Sequence, residues 1–212
     1  MSQDPIAPLR HFVMEMTRWV NQTQDESTLL KEGRKLLSQL LRDDSWLPEA
    51  FAQPHPDHYV QYLLHCDPLE RFSVVSFVWG PGHHTPVHDH TVWGLVGVLR
   101  GAERCEEFEW RSEPDAKSPH QGLPVDRGCQ HLMHPGDIDA VSPTLGDWHR
   151  VSNASDRGVS ISIHVYGANI GAVRRHRLDS QGQVVDFVSG YTSALTPNLW
   201  DRSARPDLFK IS

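Results

Sequence analysis

Apolar residues near the start of the chain recur at helical spacing. Leu9, Phe12, Val13, Met16 and Val20 fall three and four residues apart, with Arg10, Glu15 and Arg18 on the other faces, which predicts an amphipathic helix. After a polar break, Asp25 has the side chain of an N-cap. Leu29, Leu30, Leu36, Leu37, Leu40 and Leu41 then form the stripe of a second helix. Both stripes read as core. From Tyr59 the texture changes to short β-rich runs broken by Gly and Pro: Phe72 to Trp79, Val92 to Leu99, Ile138 to Ser142 and Gly158 to Tyr166. Residues 111–122 carry Ser, Glu, Pro, Asp, Lys and Gly and read as a surface loop. Many short strands with regular turn signals predict a mainly β fold, an antiparallel barrel or double-sheet jelly roll. The expected layout is one domain, with a helical extension over 1–50, a barrel over 59–190 and a C-terminal tail over 191–212.

Composition narrows the function classes. The net charge of −7 over 212 residues leaves no broad basic footprint, so nucleic acid is not an expected partner. No apolar run approaches the ~18 residues of a membrane span. The first residues lack the charged-then-apolar pattern of a signal peptide. Cys66, Cys105 and Cys129 are odd in number and scattered, so they form neither a disulfide framework nor a CxxC site. A reduced, cytoplasmic protein is expected. The 14 histidines raise the question of a metal without locating one.

Spacing locates it. His88 and His90, two apart on an extended segment, point to one face. A third histidine from a distant strand, His149, would complete a three-nitrogen face with open positions for substrate. The spacing Gly82-x5-His88-x-His90-x3-Gly94-x6-Gly101 resembles the first cupin motif, and Gly136-x6-Pro143-x2-Gly146-x2-His149-x3-Asn153 resembles the second. The first motif normally carries a glutamate where Gly94 stands. Without it, three neutral imidazoles leave a divalent ion its full charge, which favours an anionic substrate. Imidazole suits Fe(II), Zn, Cu and Ni alike, whereas a thiolate substrate suits Fe(II). Downstream, Ser162, His164 and Tyr166 alternate with Ile161, Ile163 and Val165. This polar row is expected to face inward as a mutually satisfied relay, because each unpaired buried polar group costs about 1–3 kcal/mol.

The three-histidine motifs, the Ser162-His164-Tyr166 row and Tyr59-Val60-Gln61 resemble the cysteine dioxygenase family of thiol dioxygenases, from about Asp25 to Arg202. The resemblance implies a cupin barrel with N-terminal helices. It implies one Fe(II) per chain on His88, His90 and His149, O2 as co-substrate, and a thiol sulfur oxidised to a sulfinate. Tyr166, held by His164 and Ser162, would be the active-site phenol. Two positions depart from the mammalian type. Gln61 stands at the carboxylate-binding arginine, and Gly94 at the cysteine that cross-links to the tyrosine (allowing a one-residue gap). Cys105 is too far along the chain to substitute, so no thioether is expected. The glutamine form resembles a bacterial subgroup that prefers 3-mercaptopropionate, giving 3-sulfinopropionate, with cysteine as the alternative substrate. Arg175 would then hold the carboxylate, Arg174 being the other choice, with Gln61 and Tyr59 beside the substrate. A different metal-dependent cupin enzyme, such as a zinc isomerase or ring-cleaving dioxygenase, is the remaining class.

Overall fold

The computed structural model describes residues 4–112 and 122–200. Two helices come first, α1 (Ala7–Gln22) and α2 (Glu26–Leu40). Asp25 caps α2 as expected, accepting from the Thr28 backbone N–H at 2.9 Å. A single 3-10 turn, Glu49–Phe51, leads into ten strands. These are β1 (Val60–Cys66), β2 (Ser73–Trp79), β3 (Gly94–Arg100), β4 (Glu103–Ser112), β5 (Gly122–Met133), β6 (Ile138–Val141), β7 (Trp148–Asn153), β8 (Ser160–Tyr166), β9 (Arg175–Leu178) and β10 (Val184–Phe187). No helix among the described residues is long and apolar enough to cross a membrane.

All strand pairs are antiparallel. One sheet runs β1-β2-β8-β3-β6, a second β5-β4-β7, and β9 pairs with β10. The five-stranded sheet is covered on both faces. Ile161, Ile163 and Val165 of β8 join the helical leucines, Phe12 and Trp46 in one core. Val75, Phe77 and Tyr166 meet Val151 of β7 on the other side. Every β8 residue is therefore buried, and its polar row has nowhere to point but the barrel interior.

Two readings shift. Val92 and Trp93 precede β3, which begins at Gly94. The expected loop over 111–122 is shorter, because β4 extends through Ser112 and β5 begins at Gly122; residues 113–121, with His120, lie outside the described residues. Residues 191–200 pack back on the body: Thr192 N–H donates to the Gln61 carbonyl at 2.8 Å and the Tyr191 hydroxyl donates to Asn169 Oδ1 at 2.6 Å.

Segment 84–89 does the positioning. His88 and His149 exchange backbone hydrogen bonds at 3.0 Å in each direction. On the opposite side the same segment meets β9, with Leu178 N–H donating to Val87 and Asp89 N–H to His176. A histidine-bearing loop thus joins β7 to β9 and carries both strands' side chains to one cavity.

Candidate active site

His88, His90 and His149 converge as predicted. All three are buried, with ring centroids 4.7–4.9 Å apart and a possible ligand atom from each within 4.8 Å of the others. The outward nitrogens are occupied. Nδ1 of His88 lies 3.0 Å from the Pro86 carbonyl, Nδ1 of His90 2.9 Å from Asp147, and Nδ1 of His149 3.7 Å from the Cys105 thiol. The Nε2 atoms are left facing one another, and that of His90 is buried without a partner. Burial, reinforced by the charge His90 would carry, pushes His88 and His149 well below the ordinary histidine value. Neutral imidazoles with an orphaned inward nitrogen are the donor set that a divalent ion takes.

Asp147 was not legible as part of this centre. Its two carboxylate oxygens accept from the backbone N–H groups of His90 and Thr91, both at 2.9 Å, while it also holds the His90 ring. Thr91 sits at φ 59°, a costly conformation for a β-branched residue, and the Asp147 clamp maintains it. Asp89, between His88 and His90 in the chain, reaches away from them toward β9. It grips His176 through the backbone N–H and Nδ1, each at 2.7 Å, and so fixes β9. His83 is buried but bonds the Gly80 backbone, and His131 pairs with Asp139; neither joins the triad.

The Ser162-His164-Tyr166 row forms as a chain. Ser162 Oγ is 2.8 Å from His164 Nε2, and His164 Nδ1 is 2.7 Å from the Tyr166 hydroxyl. Phe77 stacks on His164 at 4.0 Å and Tyr166 on His90 at 5.5 Å. Desolvation holds His164 neutral and pushes the Tyr166 phenol above its usual value, so the row carries hydroxyl and imidazole protons rather than net charge.

Gly94 lies opposite Tyr166 in the β3–β8 register. A Cβ there would meet the ring's Cδ1 at 2.7 Å and Val141 at 2.9 Å. Gly94→Ala is expected to cost about 1–3 kcal/mol by overpacking, read as a lower Tm, because neither the stacked ring nor the strand behind it can yield freely. Cys105, by contrast, sits behind His149, away from the phenol, and burial pushes its thiol up.

A cavity of about 240 Å³ opens onto His164 and Tyr166 of the row and His88 and His149 of the triad. Tyr59, Gln61 and Arg175 line it as expected. Arg175 is buried; its Nη2 donates to Ser189 at 2.8 Å, its guanidinium lies 4.6 Å over the Phe187 ring, and its Nε has no partner. Arg174 points away, exposed and paired with Asp186. Sequence reasoning missed Arg177, which lines the cavity two residues on from Arg175; strand alternation from Arg175 was the available signal.

The cysteine dioxygenase type I family profile matches residues 42–179, which span both histidine motifs and the polar row. This chain belongs to the cysteine dioxygenase type I family. Among its relatives, cysteine dioxygenase type 1 of Danio rerio is 31% identical over 143 residues, covering 67% of this chain and 63% of that protein. The Homo sapiens protein is 27% identical over 97 residues, 45% of this chain and 44% of its own length. The chain thus spans less than two thirds of the length of these relatives. Among solved structures, a conserved protein with a double-stranded β-helix domain from Klebsiella pneumoniae covers 65% of this chain and 91% of its own at 14% identity, with a TM-score of 0.43.

Proposed function

We propose that this protein is a thiol dioxygenase that adds both atoms of O2 to the sulfur of a small thiol carboxylate, converting RS⁻ to RSO2⁻, with 3-mercaptopropionate as substrate. One observation carries the substrate class: Arg175 is a buried guanidinium that forms no ion pair among the described residues and faces the same cavity as His88 and His149. An uncompensated buried cation is costly, and a carboxylate gripped by the guanidinium fork offsets that cost.

Family membership and the donor set support Fe(II) on His88, His90 and His149. The iron would supply the electron chemistry that lets dioxygen react with sulfur. The protein's own residues bind and orient. Arg175 anchors the carboxylate, Tyr59 and Gln61 flank the carbon chain, and Tyr166 offers its hydroxyl at the reacting end. Phe77, Trp79 and Val151 keep the inner wall apolar, which limits competing water.

The preference for 3-mercaptopropionate over cysteine follows from charge. Among the described residues the cavity lining contains two arginines, Arg175 and Arg177, and no aspartate or glutamate. The ammonium group of cysteine finds no anionic partner there, and a desolvated, unpaired charge is disfavoured. Oxygen consumption by the Fe(II)-loaded protein tests this. The expected result is a kcat/KM for 3-mercaptopropionate about tenfold or more above that for L-cysteine, roughly 1.4 kcal/mol. A cysteine preference overturns the substrate, and turnover of neither thiol overturns the dioxygenase reading.

A further inference from the structure

Behind His149 a second group of metal-binding side chains converges. Cys105 on β4, His131 on β5 and Asp139 on β6 each bring a possible ligand atom within 4.8 Å of the other two. The strand pairing puts them there. Cys105 lies directly opposite His131 in the β4–β5 register, and the side chains of such a pair share one face. The same face of β4 runs through Glu103, which is fully buried and accepts from Ser160 at 3.1 Å, and through Glu107, which is half-exposed. Asp139 comes from β6, the outer strand of the five-stranded sheet, and its carboxylate lies 2.7 Å from His131 Nε2.

No stronger partner claims these donors. Among the described residues, the Cys105 thiol makes one long contact, 3.7 Å to His149 Nδ1, and Asp139 meets no lysine or arginine. The nearby cations are engaged: Arg127 pairs with Glu107, Lys35 with Glu32, and Arg34 donates to the Ile138 carbonyl. The negative charge of Asp139 and Glu107 therefore falls on the thiol. Space for an ion to enter is present. A cavity of about 130 Å³ borders Cys105, Glu107 and His149, another of about 560 Å³ borders His131, and both reach Asp139.

We infer that Cys105, His131 and Asp139 form a second metal site, distinct from the histidine triad, that takes a divalent ion of the zinc class. The donors choose the ion. Magnesium and calcium take oxygen ligands, whereas one thiolate, one imidazole and one carboxylate suit tetrahedral Zn(II). The fourth position is left to water or to Glu107. Ordinary zinc–ligand bond lengths set tetrahedral donors about 3.3–3.6 Å apart. The side chains of His131 and Asp139, 40% and 31% exposed, can open their pair by that amount and close on the buried sulfur. On binding, the thiol proton leaves to solvent, while neutral His131 keeps its one ring proton on the nitrogen it does not use.

Position gives the site its consequence. β4 and β5 belong to one sheet and β6 to the other, so the ion ties the two sheets together. Its thiolate then accepts from His149 Nδ1–H, which leaves Nε2 as that ring's donor to the triad.

Cobalt(II) in place of zinc tests this on the intact chain. A thiolate ligand gives a sulfur-to-cobalt charge-transfer band in the near ultraviolet, and the triad contains no sulfur. The band should appear in wild type and also in His88→Ala, whose triad is broken. Dialysis against Zn(II) should leave about two ions per chain in wild type and about one in either Cys105→Ser or His88→Ala, and zinc should raise the Tm of His88→Ala. Cys105→Ser should lose the band. His131→Gln and Asp139→Asn, at half-exposed positions that fold even if Cys105→Ser does not, should each weaken Co(II) binding about tenfold or more. Cys66→Ser and Cys129→Ser should leave it unchanged. Absence of the band from His88→Ala, a band that follows Cys66 or Cys129, or one indifferent to both His131 and Asp139 overturns the site. None of these readings uses turnover, so they hold whichever thiol the cavity oxidises.

Discussion

His149→Ala is expected to leave a folded protein that no longer retains iron. His149 sits on β7, where its backbone, not its ring, exchanges hydrogen bonds with His88, so the strand and the loop it supports survive truncation. Two imidazoles remain, one backed by Pro86 and the other by Asp147, but the three-nitrogen face is broken. Disturbing groups behind a ligand already costs about 10–100-fold in metal affinity, and losing the ligand itself should exceed that. The check is metal content after purification and desalting, set beside the circular dichroism spectrum. Wild type should hold about one iron per chain and the variant almost none, with thiol-dependent oxygen uptake falling to background. Full iron occupancy in the variant would reject His149 as a ligand.

Arg175→Gln should act on substrate rather than metal. Removing one partner of a buried charge pair costs about 2–5 kcal/mol, so kcat/KM for the thiol carboxylate should fall on the order of a hundredfold or more. Most of that loss belongs in KM, because the carboxylate is bound alike before and during the oxidation of a sulfur at the other end. Arg175→Lys should recover only part, since an ammonium cannot reproduce the two-pronged grip. Arg174→Gln, altering an exposed pair with Asp186, should change little. Stability moves the other way. The free protein carries Arg175 desolvated, which lowers its affinity for a proton, so the glutamine variant should melt no earlier than wild type. A drop in Tm without a rise in KM would make Arg175 a structural residue.

Which parts of this could be read from the chain follows from the range of the forces involved. The helical stripes, the Asp25 cap and the alternation of β8 are local patterns, and each survives folding because one face of a regular element must be buried. The triad was legible because its spacing is rigid between turn-forming residues: Gly82 and Gly136, both at positive φ, frame the histidine segments. The polar row was legible because period-two alternation fixes a face. Asp147, Arg177 and Glu103 were not. Asp147 reaches His90 across fifty-seven positions, and nothing in its neighbourhood marks a carboxylate that caps a distant loop. Arg177 follows from Arg175 only once β9 is known to be a strand. Glu103 lies in a run of charged residues with Arg104, Glu106 and Glu107, where a solvated surface strand is the ordinary expectation. Only the sheet pairing that puts β4 across from β7 turns its side chain inward.

The way β9 is attached has a bearing on how this scaffold can change over generations. The β9–β10 hairpin carries Arg175, Arg177 and Phe187, yet its backbone bonds to the rest of the barrel run mainly through the edge of segment 84–89. The residues proposed to grip the carboxylate are thus grouped on one peripheral ribbon, while the phenol row belongs to β8 at the centre of the main sheet. On the proposed function, substitutions, insertions or wholesale exchange of that ribbon would redirect the protein toward thiols with other tails without disturbing the histidine triad or the phenol row. Diversity among descendants of such a protein should therefore concentrate in β9–β10, with β8 the slowest part to drift.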